Sequence, residues 1–469
     1  MKDMTLNHMA KSCGGTLILP MGKPVSDYPQ EASGIVSDSR QVGENYVFIA
    51  LPGARVDGHD FVDSVFEKGA LACVVERLPK ELKGPVIMVD DCKEAMAKLA
   101  AYYRLRFTYP VVTITGSVGK TGTKEFTSAV LSRKYTVHKT SGNFNNEIGL
   151  PLTIFGMDDT DEVAVLETGI SDYGEMSRLG AMARPDISVI TNIGTCHLEN
   201  LKDRDGILKA KTEIFDFLKP GGIAVLNGDD DKLCTVSDVH GQTPVFFGIG
   251  QEMPAGSCVP SKTVFATDIV NNGLRGIKFM LHIGSQVSPA FIKIPGEHNV
   301  YNALAAATVG HLSGMSLKEI VDGIADADTI DGRMHIEDMG DILIIDDCYN
   351  ANPVSMKAGI DVLKTADGRK VAILGDMGEL GSDEEKLHAE VGAYVKESGI
   401  DLLIAAGRLS KATTDAAEGG KTEVKHFEYK ETLLASLSGF IKKGDTILVK
   451  ASHFMGFPEV VKALKDMKF

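Results

Sequence analysis

No apolar stretch in this chain is long enough to cross a bilayer. The runs at 163–168 and 341–346 are strand-length, against the roughly 18–20 residues a membrane helix needs. The N-terminus, MKDMTLNHMAKSCGG, has no apolar segment after its first lysine. No signal peptide or membrane insertion is therefore expected, and the chain reads as cytoplasmic. Basic runs are missing too. With 49 Lys and Arg against 64 Asp and Glu the net charge is −15, which argues against nucleic acid as a partner. An anionic ligand must then be met by local positive features. Cys13, Cys73, Cys92, Cys196, Cys234, Cys258 and Cys348 make an odd set with no CxxC spacing, the pattern of reduced thiols in a reducing cytosol.

What is present points to several cores. At 469 residues and 43% hydrophobic content, about two to four globular domains are expected. Residues 1–109 are mixed, with β-type runs at 46–51, 71–76 and 85–89 and a helical stretch at 93–106. After Pro110 the pattern changes to near-continuous apolar strands (VVTITG, VAVLET, DISVITN, GIAVLN) alternating with helices. That alternation predicts a parallel sheet covered on both faces. Residues 261–295 read as antiparallel and 298–312 as an alanine-rich helix. A third block from about Arg333 repeats the α/β pattern through ILIID, VAILG, LLIAAG and TILVKA and ends in a helix at 458–465. The expectation is an α/β protein of three domains, 1–109, 110–332 and 333–469, the last Rossmann-like.

Residues 111–125 read VVTITGSVGKTGTKE. An apolar strand enters Gly116, and Ser117, Val118 and Gly119 lead to Lys120, Thr121 and Gly122 at the head of a helix. Glycines let backbone N–H groups approach phosphate oxygens, the helix N-terminus adds positive potential, Lys120 reaches the β/γ oxygens and Thr121 can hold Mg²⁺. Ile114 stands where the longer GxxxxGK[ST] pattern has its first glycine, so the motif is the shorter GxxGKT.

Ligands of parallel sheets sit beyond the carboxyl ends of the strands. Glu167 ends one such strand, and His197 follows the end of another by a few residues. Glu167 reads either as a Mg²⁺ ligand or as a helix-capping carboxylate. His197 reads either as a ligand or as an ordinary loop histidine. Lys211 lies in an expected helix at 205–218, off the centre of its apolar stripe, and by spacing alone is a solvated charge.

The surrounding segments narrow the choice. NFNNEIGLPLT (143–153), GISDYGEMSRLG (169–180), ITNIG followed by HLE (190–199), DDCYNANPVSM (346–356), LGDMGELG (374–381), SDSR (37–40) and LPGARVDGHDF (51–61) together resemble the Mur ligase family, in the branch that joins D-alanyl-D-alanine to a UDP-N-acetylmuramoyl tripeptide. The resemblance is collinear over the whole chain. It implies a UDP-sugar-binding domain, a central ATPase domain and a C-terminal domain that closes over ATP, in a monomer that makes an amide bond through an acyl-phosphate.

It also implies residue roles. Lys120 would contact the phosphates, and Thr121, Glu167, His197 and Lys211 would serve Mg²⁺, with Lys211 carbamylated. Asn299 and Asn302 would lie near the adenine, Arg333 near the γ-phosphate, and Asp347 and Tyr349 on the nucleotide side. Ser39, Arg40, Asn143, Asn145 and Asn146 would face the UDP-substrate. Two departures stand out. Gly122 replaces a more usual threonine, at a cost of roughly 1 kcal/mol relative to alanine in a helix. Ala451 and His453 stand where glycine and arginine are usual, which leaves the choice of acceptor open, a dipeptide ending in a hydroxy acid included.

Overall fold

The β-branched runs of the sequence become its strands, and in this computed structural model they fall into two compact units. The structure describes residues 1–469 except Ala54, Arg55, Cys196, His197, Cys258 and Asp331. The first unit comprises 1–115, 135–189 and 210–224; the second comprises 116–134, 190–209 and 225–469.

In the first unit, β1 (Thr16–Ile18), β2 (Gly34–Val36), β3 (Tyr46–Ile49), β4 (Ala72–Val75) and β5 (Val86–Met88) form one sheet in the order β1-β5-β4-β3-β2. All its pairs are parallel except β1 with β5. Phe48, Val65, Cys73, Val75 and Val86 pack its core. The helix Cys92–Arg104 starts at Asp91, whose side chain accepts the Glu94 N–H. Its far end is fixed to the middle of the chain. Arg104, 1% exposed, donates from Nε to the Ala183 carbonyl at 3.0 Å, and the Tyr103 hydroxyl donates to Met157 at 2.8 Å. Burial pulls the Arg104 guanidinium below its ordinary pKa.

The same unit holds β6 (Val111–Thr115), β7 (Val137–Lys139) and β8 (Val163–Glu167), with β8 parallel to both others. Ile114 pairs with Glu167, the last residue of β8. β9 (Ile187–Ile190) follows where the chain passes to the second unit, and β10 (Ile223–Asn227) where it passes again. The helix expected over 205–218 stops early. The structure has a helix at Arg204–Thr212 and then a 3₁₀ turn at Glu213–Phe217. The Glu213 carboxylate is committed to the start of another helix, accepting Gly174 N–H, Ser177 N–H and the Ser177 hydroxyl.

In the second unit, β10, β11 (Val245–Ile249) and β12 (Val264–Asn271) run parallel. β13 (Ile277–Ile283) and β14 (Gln286–Ile292) then add antiparallel pairs, the arrangement expected over 261–295. Six further strands, β15 (His335–Asp338), β16 (Leu343–Asp346), β17 (Lys370–Gly375), β18 (Leu402–Ala406), β19 (Glu423–Phe427) and β20 (Thr446–Lys450), form a sheet in the order β15-β16-β20-β17-β18-β19. Only β15 is antiparallel. β18 and β20 are buried at every position, because helices cover both faces of such a sheet. Among the described residues no helix is long and apolar enough to cross a membrane.

Candidate nucleotide and carboxylate site

The loop after β6 is shaped by two glycines. Gly116 has φ +150°, and a Cβ there would lie 1.9 Å from Thr191 Oγ1; Gly119 has φ +81°, in the left-handed region that favours glycine. Residues at the end of β9 hold the loop from outside. Asn192 accepts the Ser117 N–H through its carbonyl at 3.0 Å and the Val118 N–H through Oδ1 at 3.0 Å. The Val118 carbonyl accepts from Thr191 Oγ1 at 2.6 Å and Asn192 Nδ2 at 3.0 Å, while Ser117 Oγ accepts the Gly194 N–H. Lys120 Nζ donates back to the Gly116 carbonyl at 2.8 Å. The helix Lys120–Leu131 begins at Gly119, which supplies no side-chain cap. A phosphate oxygen is the natural partner for the leading N–H groups of such a helix. Thr191 and Asn192 were not singled out from the sequence as loop supports; their signal was a polar pair closing an apolar strand.

Asn302 approaches this helix from the helix His298–Leu312. Its Oδ1 accepts the Thr123 hydroxyl at 2.9 Å, and its Nδ2 donates to Asn299 Oδ1 at 2.8 Å. Asn299 Nδ2 donates in turn to the Pro295 carbonyl at 2.8 Å. A Cβ on Gly122 would stand 2.7 Å from Asn302 Nδ2. The glycine that departs from the usual loop therefore makes room for the Asn302 amide, which offsets its helix penalty.

Arg333, Asp347 and Tyr349 come together around one turn. The Arg333 guanidinium lies 4.0 Å above the Tyr349 ring, and its buried Nε has no hydrogen-bond partner among the described residues. Asp346 Oδ2 accepts the Gly332 N–H and Asp347 Oδ1 accepts the Met334 N–H, each at 3.1 Å. Asp347 Oδ2 also meets Lys450 Nζ at 2.5 Å. The two aspartates thus fix the turn that presents Arg333, while Tyr349 supplies the surface on which it lies. His453 packs against the same tyrosine, ring centroids 5.5 Å apart. Ala451 is fully buried, and a Cβ on Gly375 would come within 2.7 Å of its methyl group.

In the first unit Glu167 is 1% exposed. Its Oε1 accepts from Asn145 Nδ2 at 2.9 Å, and Gly169 leaves space for that amide. Asn146 Oδ1 accepts the Ile148 and Gly149 N–H groups, and Asn143 is exposed. Of the three asparagines expected on the UDP side, Asn145 therefore orients Glu167 and Asn146 shapes a turn. Lys211 is 1% exposed. The solvated charge expected from spacing alone is corrected: this lysine is buried.

Arg40 is exposed and forks onto Asp38, Nη2 to Oδ2 at 2.7 Å; the guanidinium holds the Asp38 carboxyl down at about 2. The Ser39 carbonyl accepts Lys68 Nζ at 2.7 Å. His197 lies outside the described residues. Among those described, no group of three His, Cys, Asp or Glu side chains forms a metal-sized cluster.

Three family models match along the chain: "Mur ligase family, catalytic domain" over 31–104, "Mur ligase middle domain" over 114–310 and "Mur ligase, glutamate ligase domain" over 332–453. The UDP-N-acetylmuramoyl-tripeptide–D-alanyl-D-alanine ligase of Bacillus subtilis is 37% identical, with 98% of each chain covered. The chain belongs to the Mur ligase family. The Escherichia coli ligase of the same name is 34% identical over 92% of this chain and 93% of its own. A crystal structure of MurF from Acinetobacter baumannii matches with a TM-score of 0.88 at 31% identity, covering 99% of both chains. MurF ligase from Thermotoga maritima in complex with ADP matches with a TM-score of 0.77 at 30% identity, covering 92% of this chain and 97% of that one. The three-domain α/β architecture is that of a Mur ligase. The first matched span holds Ser39 and Arg40, the second the phosphate loop and Glu167, and the third Arg333, Asp347 and Tyr349.

Proposed function

We propose that this Mur ligase uses ATP to join D-alanyl-D-alanine to UDP-N-acetylmuramoyl tripeptide. One observation carries the reading: a glycine-shaped loop heads an uncapped helix in a chain whose full-length relatives are named for that reaction. The tripeptide carboxylate attacks the γ-phosphorus of ATP, giving an acyl-phosphate and ADP. The dipeptide amine then adds to the acyl carbon and phosphate leaves. For such a transfer a protein contributes mainly positioning and charge stabilisation.

The proposed roles follow the chemistry of the side chains. Gly116, Ser117, Val118, Gly119 and Gly122 shape the cradle, and Lys120 follows the β/γ oxygens as charge moves. Arg333, with no ion pair among the described residues, offers its guanidinium to the transferring phosphoryl group. Asp347 and Tyr349 keep it in place, and Asn299 and Asn302 support the nucleotide side. Ser39 and Arg40 face the UDP-substrate. Thr121, Glu167, His197 and a carbamylated Lys211 would hold Mg²⁺, which when bound would neutralise phosphate charge. A buried carboxylate oriented by an amide donor, with a second oxygen-bearing group made from a buried lysine, is a donor set that suits this hard cation. The domains proposed are 1–109, 110–332 and 333–469, in a cytoplasmic monomer.

Mass spectrometry of the products from ATP, UDP-muramoyl tripeptide and a panel of D,D-dipeptides tests the reading, with ADP release followed in parallel. The D-Ala-D-Ala adduct is expected, with ADP formed only when both co-substrates are present. ADP released without an amide product, or a hydroxy-acid acceptor used in preference, overturns it.

A further inference from the structure

The buried amides between the phosphate-loop helix and residues 295–302 have only one self-consistent arrangement. A carbonyl cannot donate, so the Pro295 carbonyl must receive Asn299 Nδ2. That places Asn299 Oδ1 toward Asn302, which must answer with Nδ2. Asn302 Oδ1 then faces Thr123, whose hydroxyl must donate. Polarity is thus set along the whole relay by one group at its end. Thr123 is fully buried, and Asn299 and Asn302 are 4% and 5% exposed. A broken link leaves a buried polar group without its partner. The loop side is equally tight, since a Cβ on Gly119 would come within 3.1 Å of Asn302 Oδ1 and one on Gly122 within 2.7 Å of Nδ2. At the other end Gly296 has φ +100°, and a Cβ there would meet the ring of His298 at 2.5 Å and Val362 Cγ2, on the helix Pro353–Lys364, at 3.3 Å.

We propose that Thr123 is a positioning residue for nucleotide use. Through Asn302 and Asn299 it locks the phosphate-loop helix to the Pro295–Gly296 turn, holding the first helical turn where Lys120 and the leading N–H groups serve the phosphates. The inference rests on the phosphate-loop assignment above and adds a residue outside the loop motif itself. Thr123 acts through the relay and not by touching ATP.

Steady-state kinetics on the full chain tests it. Thr123→Val keeps the shape and removes the donated proton. Losing one buried hydrogen bond between neutral groups predicts a rise of about five- to tenfold in KM for ATP, with KM for the UDP-substrate within twofold of the parent. Thr123→Ser restores the parent value. Gly122→Ala, which drives a methyl group into Asn302, reproduces the Val phenotype. In a double-mutant cycle Thr123→Val adds nothing to Asn302→Leu, because both cut the same chain. An unchanged KM for ATP in a folded Thr123→Val enzyme overturns the proposal, as does additivity in the cycle. If Thr123→Val does not fold, Thr123→Ser and Gly122→Ala decide alone, and a parent-like Gly122→Ala overturns it. Lys120→Ala separates the two levels: ATP use surviving that change removes the phosphate-loop assignment, whereas its loss beside a parent-like Thr123→Val removes only the relay.

Discussion

Lys450→Met is the sharpest test of how the third block holds Arg333. Lys450 is 2% exposed and Asp347 8%, and the ammonium has three oxygen partners: Asp347 Oδ2 at 2.5 Å, the Asn350 carbonyl at 3.1 Å and the Asp347 carbonyl at 3.4 Å. Methionine keeps the length and removes the charge. The Asp347 carboxylate is then left buried with the Met334 N–H. Breaking one side of a buried ion pair costs about 3–5 kcal/mol, whereas replacing both partners with neutral groups is often close to neutral. Lys450→Met should therefore be far worse than Lys450→Met combined with Asp347→Asn. The chain has no tryptophan, so native-state hydrogen exchange on β16, β17 and β20 is the suitable assay. Exchange of their most protected amides should accelerate by about two to four orders of magnitude in the single variant, and most of that protection should return in the double. Acceleration of less than about tenfold, or a double variant as damaged as the single, would refute the reasoning, since tenfold is only about 1.4 kcal/mol.

Three further outcomes are expected. Lys120→Ala should lose more than about tenfold in kcat/KM, because it removes the cation that follows the phosphate oxygens; a smaller loss in coupled ADP-release kinetics counts against its role. Lys211→Ala should lose most activity and regain part of it with a small added carboxylic acid. Labelled bicarbonate should show a carbamate carbon in the parent by ¹³C NMR, and near-normal ligation by the variant would return this lysine to a structural role. His388 accepts the Met377 N–H through Nε2 at 2.9 Å and meets the Glu384 carbonyl through Nδ1 at 2.7 Å, so it is neutral, and burial pushes its pKa below the ordinary value. Its contribution to stability is full above the unfolded value of about 6.5 and is lost as pH falls from there toward the lower folded value. Between pH 7.5 and 5.5 the parent Tm should fall more than that of His388→Gln, and parallel curves would rule the effect out.

The sequence was most legible where one pattern served one purpose. The strands read in the second and third blocks and the helices His298–Leu312 and Pro458–Lys465 appear where periodicity placed them, while Val245–Ile249, His335–Asp338 and Glu423–Phe427 were not read as strands. The three-residue strand Val137–Lys139 was beyond that method, since so short a segment has no period. The helix ending at Thr212 was misjudged because a tertiary partner, the Glu213 carboxylate at the start of the helix Glu175–Ala183, decides where it stops. At the site, the glycines and Lys120 carried their own signal. The supports did not: Thr191, Asn192 and Thr123 are ordinary polar residues until the fold brings their partners to them. Lys211 failed in the opposite sense, since helical spacing cannot tell that a lysine off the stripe is covered by another part of the chain.

The amide relay also narrows what two codons can become. Aspartate is a single base change from asparagine, and at the surface that exchange is often tolerated. At 299 it would set a carboxylate against the Pro295 carbonyl, and at 302 against Asn299 Oδ1, acceptor facing acceptor at buried positions. A gene carrying either change would encode a phosphate loop detached from its brace while every residue of the loop motif stays intact.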